Sequence, residues 1–137
     1  MSNPTPDFSA LTDAELGKHL AVLDGYKVER DYPFWFLRDS KGVTVYGSRS
    51  PYSDVCWQHA PDYCKSLDAA AALAQRWGYE WERGFSRCNN CNVIHVTKAG
   101  ETRVYSTREN PDIADPVHRT ARALCEALAT AKARERA

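Results

Sequence analysis

The residues whose types and spacing could carry chemistry are cysteines, histidines, aromatic residues and arginines. Cys88-x-x-Cys91, in the stretch SRCNNCNVIHV, stands four positions before His95, and Cys56-x-x-His59 lies upstream. Taken together, Cys56, His59, Cys88 and Cys91 have knuckle spacing and would supply the four ligands of a closed tetrahedral zinc site. A competing reading takes Asn89-Asn90 as a two-residue hairpin turn, which sets Cys88 and Cys91 opposite each other with no need for a metal. A redox pair is the third reading, and no helix start follows Cys91 to depress a thiol pKa. The inert hairpin leads, with structural zinc as the alternative cofactor.

The second group is aromatic and basic. Trp35, Tyr46, Tyr52, Trp57 and Tyr63 precede or occupy residues 47–65, and the chain holds 12 arginines to 6 lysines. Aromatic faces stack on bases, and guanidinium forks hold phosphates. Arg49, Tyr52, Trp57, Tyr63, Arg87 and Arg103 are therefore the candidate ligand-binding residues, while Trp35, Trp77 and Trp81 read as core. There is no glycine-rich phosphate loop, nucleophile elbow or metal-binding histidine pair on a helix. His19 and His118 read as helix-surface residues, and Glu80 with Glu82 as a solvated strand face. No catalytic residue is assigned, and a protein without enzymatic activity is expected.

Charge narrows the partners. Lysine plus arginine equals aspartate plus glutamate at 18 each, a formal net charge of zero. That balance gives no global pull toward double-stranded nucleic acid or a membrane surface. No run of about 20 apolar residues is present, and the N-terminus lacks the basic start and apolar stretch of a secretory signal. Five cysteines, an odd number, argue against a disulfide framework. A chain kept reduced in the host-cell cytoplasm is expected.

These residues need elements to position them. Thr12 with Glu15 forms a capping box for a helix carrying Leu16, Leu20 and Leu23, which Gly25 ends. FWFLRD and VTVYG, joined by DSKG, read as a hairpin over 34–38 and 43–46, with a further short strand at 26–30. Residues 47–65 read as a long loop. Ser66 caps an alanine-rich helix ended by Gly78, and Tyr79 to Ser106 read as a three-stranded meander with turns at CNNC and KAGE. Asp115 caps a last helix with Pro116 at its first position and Val117, Ala121, Leu124, Leu128 and Ala131 as its stripe. The expectation is one α+β domain over 1–137: a mostly antiparallel sheet packed with three helices as an α/β/α sandwich, with 1–10 as a leader.

Tyr63, Ser66, Asp68 and Ala69 to Ala71, followed by a meander and then Ala123, Leu124, Cys125, Ala127 and Leu128, resemble the phage ABA sandwich domain family. Cys56, Cys64, Cys88 and Cys91 fall outside that pattern. The resemblance implies a phage or prophage origin and a layered α/β/α fold, and it implies no shared catalytic site. The expected function is a phage-type binding protein, likened by fold alone, that sequesters a small nucleotide signal of bacterial anti-phage defence. The alternative is a protein-interaction module, with or without zinc, that inhibits a host protein. A homo-oligomer is expected, because one small sheet offers little concavity for a pocket.

Overall fold

Helix α1 (Asp13–Leu23) begins where Thr12 and Glu15 exchange hydrogen bonds: Thr12 N donates to Glu15 Oε1 at 3.0 Å, and Glu15 N to Thr12 Oγ1 at 3.1 Å. It ends at Gly25, whose φ of 98° is open to glycine at little steric cost. The computed structural model describes residues 7–49, 53–88 and 90–136. Within them lie two three-stranded antiparallel sheets and four α-helices, an α+β architecture. The chain packs as two compact units: residues up to Leu16 together with those from Asp62 onward, and Gly17–Pro61.

The unit of residues 17–61 is built on the sheet β1 (Lys27–Asp31), β2 (Phe34–Arg38) and β3 (Thr44–Ser48), with β2 in the centre. Both neighbours run antiparallel to it, and a register shift between Leu37 and Arg38 adds a bulge on the β3 side. Asp39 shapes the β2–β3 turn by accepting from Lys41 N and Val43 N, both at 2.9 Å. Helix α2 (Asp54–Trp57) packs against β2 and β3. The stretch 47–65, expected as one loop, thus holds the end of β3 and a short helix. Pro51 and Tyr52 lie outside the described residues.

The other unit carries α3 (Leu67–Arg76), the meander β4 (Tyr79–Ser86), β5 (Cys91–Lys98) and β6 (Val104–Arg108), and α4 (Pro116–Arg136). Ser66 Oγ accepts from Ala69 N at 3.2 Å to open α3, and Asp115 Oδ1 accepts from Val117 N at 3.0 Å to open α4. Helix α4 packs against α3, β5 and β6. Ala121, Ala123, Leu124, Cys125, Ala127, Leu128, Ala129 and Ala131 are all buried, so the helix is covered on most sides rather than along one stripe. Val117, expected in that stripe, is 51% exposed. The helix faces Ile94 and Val96, which are fully buried, and burial of each such side chain contributes about 1.5–3 kcal/mol. The leader tightens into a 3-10 turn at Phe8–Ala10, and Phe8 is buried.

Candidate aromatic and arginine face

Strand β2 reads Phe34-Trp35-Phe36-Leu37-Arg38, apolar on both faces. The register separates them. Leu37 pairs with Val28 and Tyr46, and Trp35 with Arg30 and Ser48, on the face that meets α2, where Tyr46 stacks on His59 with ring centroids 3.6 Å apart. Phe34 and Phe36 point to the opposite face, and both are half-exposed. Their centroids are 5.9 Å apart. The Arg49 guanidinium lies 5.1 Å from the Phe34 centroid, and that of Arg38 lies 5.3 Å from the Phe36 centroid. The row therefore runs guanidinium, ring, ring, guanidinium.

Room for Phe36 comes from Gly47 across the strand, where an added Cβ would fall 2.9 Å from the ring. Arg38 is anchored by Nη1 donating to Thr44 Oγ1 at 3.0 Å. Its Nε lies 3.4 Å from Glu29 Oε2, an ion-pair separation at which this buried donor makes no hydrogen bond. Arg30 lies over both Tyr32 and Trp35, at 5.5 and 5.4 Å, and Lys18 lies 5.3 Å over Trp57. Among the described residues of 17–61, five cation–ring pairs lie within 5.5 Å of a ring centroid.

Of the expected ligand residues, Arg49 and Trp57 belong to this unit: Arg49 is part of the row and exposed, and Trp57 is half-buried beneath Lys18. Tyr52 lies outside the described residues. Tyr63 is fully buried, so its ring fills the core of the other unit and presents no face to solvent. Arg87 and Arg103 are exposed in that same unit, Arg87 in the β4–β5 loop and Arg103 just before β6, where the Tyr105 hydroxyl raises its already high pKa. Phe34, Phe36 and Arg38 escaped the sequence reading. An alternating pattern gives two faces but not which one a helix covers.

The cysteine readings also resolve into places. Ser86 pairs with Cys91, so the strands close four residues apart and Cys88 does not stand across the strands from Cys91. Asn90 closes that loop at φ 50°, in the left-handed region that asparagine tolerates. Cys88 is exposed and Cys91 half-buried. Cys56 is fully buried on α2, which raises its thiol pKa, and His59 is engaged by Tyr46. Among the described residues, no three histidine, cysteine, aspartate or glutamate side chains converge to hold a metal ion. His118, read as a helix-surface residue, meets Asp13 Oδ2 through Nε2 at 2.8 Å. No described helix is long and apolar enough to cross a membrane. No family model, curated protein or solved structure matches the chain.

Proposed function

We propose that the open face of β2 holds a small nucleotide-like ligand, a planar base carrying phosphate, without covalent chemistry. The observation that carries this reading is the row Arg49, Phe34, Phe36, Arg38. A base stacks on a phenyl ring or on the plane of a guanidinium, and the same guanidinium takes the phosphate through its fork. The zero net charge favours a small ligand over a long polyanion, whose binding rests on many cationic contacts. Sequestration of a nucleotide signal, in a phage protein acting in the host cytoplasm, is the setting that the resemblance to phage sandwich proteins supplies.

Isothermal titration with a panel of linear, cyclic and ADP-ribose-type nucleotides tests this. Saturable binding is expected, with Phe34→Ala or Phe36→Ala costing about 1–3 kcal/mol, roughly 5- to 150-fold in Kd. Arg38→Gln with Arg49→Gln should remove the preference for phosphorylated over unphosphorylated nucleosides. Absence of heat across the panel, or variants that bind as the parent does, would overturn the reading. A second reading has its own observation. Tyr32 is 81% exposed, Val43 58% and Val45 46%, all around the same sheet. Exposed apolar side chains of this kind suit a protein partner, with inhibition of a host protein as the outcome. Affinity capture with Tyr32→Ser as the control separates the two readings.

A further inference from the structure

Strand β1 pairs with β2 on one side, and among the described residues no strand pairs with its other edge. Lys27, Glu29, Arg30 and Asp31 are exposed, and Val28 between them is half-buried. The hairpin sets the direction of the backbone groups. Asp31 and Phe34 close the two-residue Tyr32-Pro33 turn, and the closing pair of such a hairpin exchanges its hydrogen bonds. Pairing alternates from there, so Glu29 and Lys27 also bond toward β2, whereas Val28 and Arg30 turn their N–H and C=O groups to the open edge. Charges on an edge strand ordinarily keep other strands away. On β1 their order is complementary to itself when inverted. An antiparallel copy centred on Val28 sets Val28 against Val28, and on either side of that pair Lys27 meets Glu29 and Tyr26 meets Arg30. No like charges meet in this register. Edge strand β4 lacks the property: a copy centred on Trp81 sets Glu80 against Glu82, and one centred on Glu82 sets that carboxylate against itself.

We propose that β1 is the surface through which two copies of this chain pair, antiparallel about Val28, joining their three-stranded sheets into one. The contact is isologous: each Lys27 meets the other copy's Glu29, so every favourable pair occurs twice. Opposite charges directly across antiparallel strands stabilise the pairing and fix its register. Glu29 can serve both copies, because its side chain is 51% exposed while it stands 3.4 Å from Arg38 Nε of its own chain. Tyr26 N is held by Ala21 O at 2.9 Å, so the strand does not extend the ladder beyond that residue. So short a pairing is weak, with a Kd of about 100 µM. The pairing also has a consequence for the face beside it. Lys27 and Glu29 lie on the same face as Phe36 and Arg38, which stand opposite them on β2. The two-fold axis runs through the sheet, so both Phe34–Phe36 rows come to lie on one face of the joined sheet. The pairing itself stands on β1 alone and not on what that face binds.

Sedimentation velocity of the whole protein over roughly a hundredfold range of concentration tests this. A monomer–dimer equilibrium is expected. Lys27→Glu should weaken the dimer roughly fivefold or more, because a carboxylate then faces Glu29 of the other copy at both symmetric places. Within its own chain the change is mild, since position 27 stands opposite Arg38. Glu29→Lys should weaken the dimer similarly by setting ammonium groups against each other. Circular dichroism matching the parent shows that the variants fold. Mixed in equal amounts, the two variants should form a heterodimer tighter than either homodimer, because two acids then meet two bases; native mass spectrometry reads it by mass. A parent that stays monomeric throughout, a dimer that Lys27→Glu leaves unchanged, or variants that pair with themselves as well as with each other would overturn the proposal. Nucleotide binding is read by heat and pairing by mass, so the failure of either reading is seen apart from the other.

Discussion

Arg122 is the side chain on which most separate groups depend. It is 6% exposed, and its guanidinium donates from Nε to Glu126 Oε2 at 3.0 Å, from Nη1 to Asp13 Oδ1 at 2.8 Å, and from Nη2 to Phe8 O at 3.1 Å and Leu11 O at 2.6 Å. One cation thus fastens the segment 8–13 to α4 across more than a hundred residues of chain. Burial works against its charge, but hydrogen bonds to Glu126 and Asp13 outweigh it and its pKa is raised. Burial also pushes the Glu126 carboxyl up, only partly offset by Arg122. Arg122→Met keeps the bulk and removes every donor, taking the guanidinium away from two carboxylates and two carbonyls. The expected loss is about 3–5 kcal/mol by urea denaturation, the range for breaking a buried ion pair. A loss below about 1 kcal/mol would mean that water replaces the guanidinium freely. Nothing in the sequence announces this hub, because Asp13 and Arg122 become neighbours only through the fold. The same holds for the β2 row: Arg49 was legible as a loop arginine, but Phe34 and Phe36 were read only as part of a strand, because alternation does not say which face α2 covers.

At the scale of elements, Glu109 joins three of them. It follows β6, is 4% exposed, and its N donates to Asn92 O of β5 at 2.9 Å. Arg83 of β4 gives it a two-pronged ion pair, Nε to Oε2 at 2.7 Å and Nη2 to Oε1 at 3.1 Å, and Thr120 Oγ1 of α4 donates to Oε2 at 3.1 Å. Burial pushes this carboxyl up, but the hydrogen bonds from Arg83 and Thr120 and the charge of Arg83 outweigh it, so its pKa is lowered. A carboxyl depressed in the fold contributes stability that is present above the unfolded pKa of about 4.3 and lost as pH falls through the folded value. Arg83 is 45% exposed, which screens the pair, so Glu109→Gln should cost about 2 kcal/mol near neutrality rather than the full price of a buried pair. The gap between parent and variant should shrink as denaturation is repeated from about pH 6 down to about pH 3. A gap constant over that range would mean that the charge on Glu109 contributes nothing. The elements themselves were largely legible, because Thr12 with Glu15, Ser66, Asp115, Gly25 and Gly78 act within a turn of their own position. The β4–β5 loop was misread by two residues, since CNNC states a turn but the register that sets its length belongs to the pairing of Ser86 with Cys91.

At the scale of the whole molecule, the five cysteines are natural reporters of how the two units hold together internally. All are free thiols. Cys88 is exposed and Cys91 half-buried on the β4–β5 hairpin, whereas Cys56, Cys64 and Cys125 are fully buried. Reaction with a disulfide reagent needs an accessible thiolate. Burial raises the pKa of Cys56, and burial followed by the neighbouring Cys64 raises that of Cys125. Cys88 should therefore react within the mixing time, Cys91 more slowly, and the other three only through opening of their units. The units differ in what holds them. Within residues 17–61 the buried apolar side chains are Leu20, Ala21, Leu37 and Cys56, while the other unit buries Tyr63, Leu73, Ile94, Val96, Leu124, Leu128 and more. Opening free energy follows the apolar surface an element would expose, so the smaller core opens at lower cost. Cys56 is expected to react ahead of Cys64 and Cys125 in native buffer, with the latter two modified together because they share one core. Mass spectrometry of the time course, with peptides assigned after quenching, reads this directly. Simultaneous modification of all three would mean that the chain opens as one cooperative body.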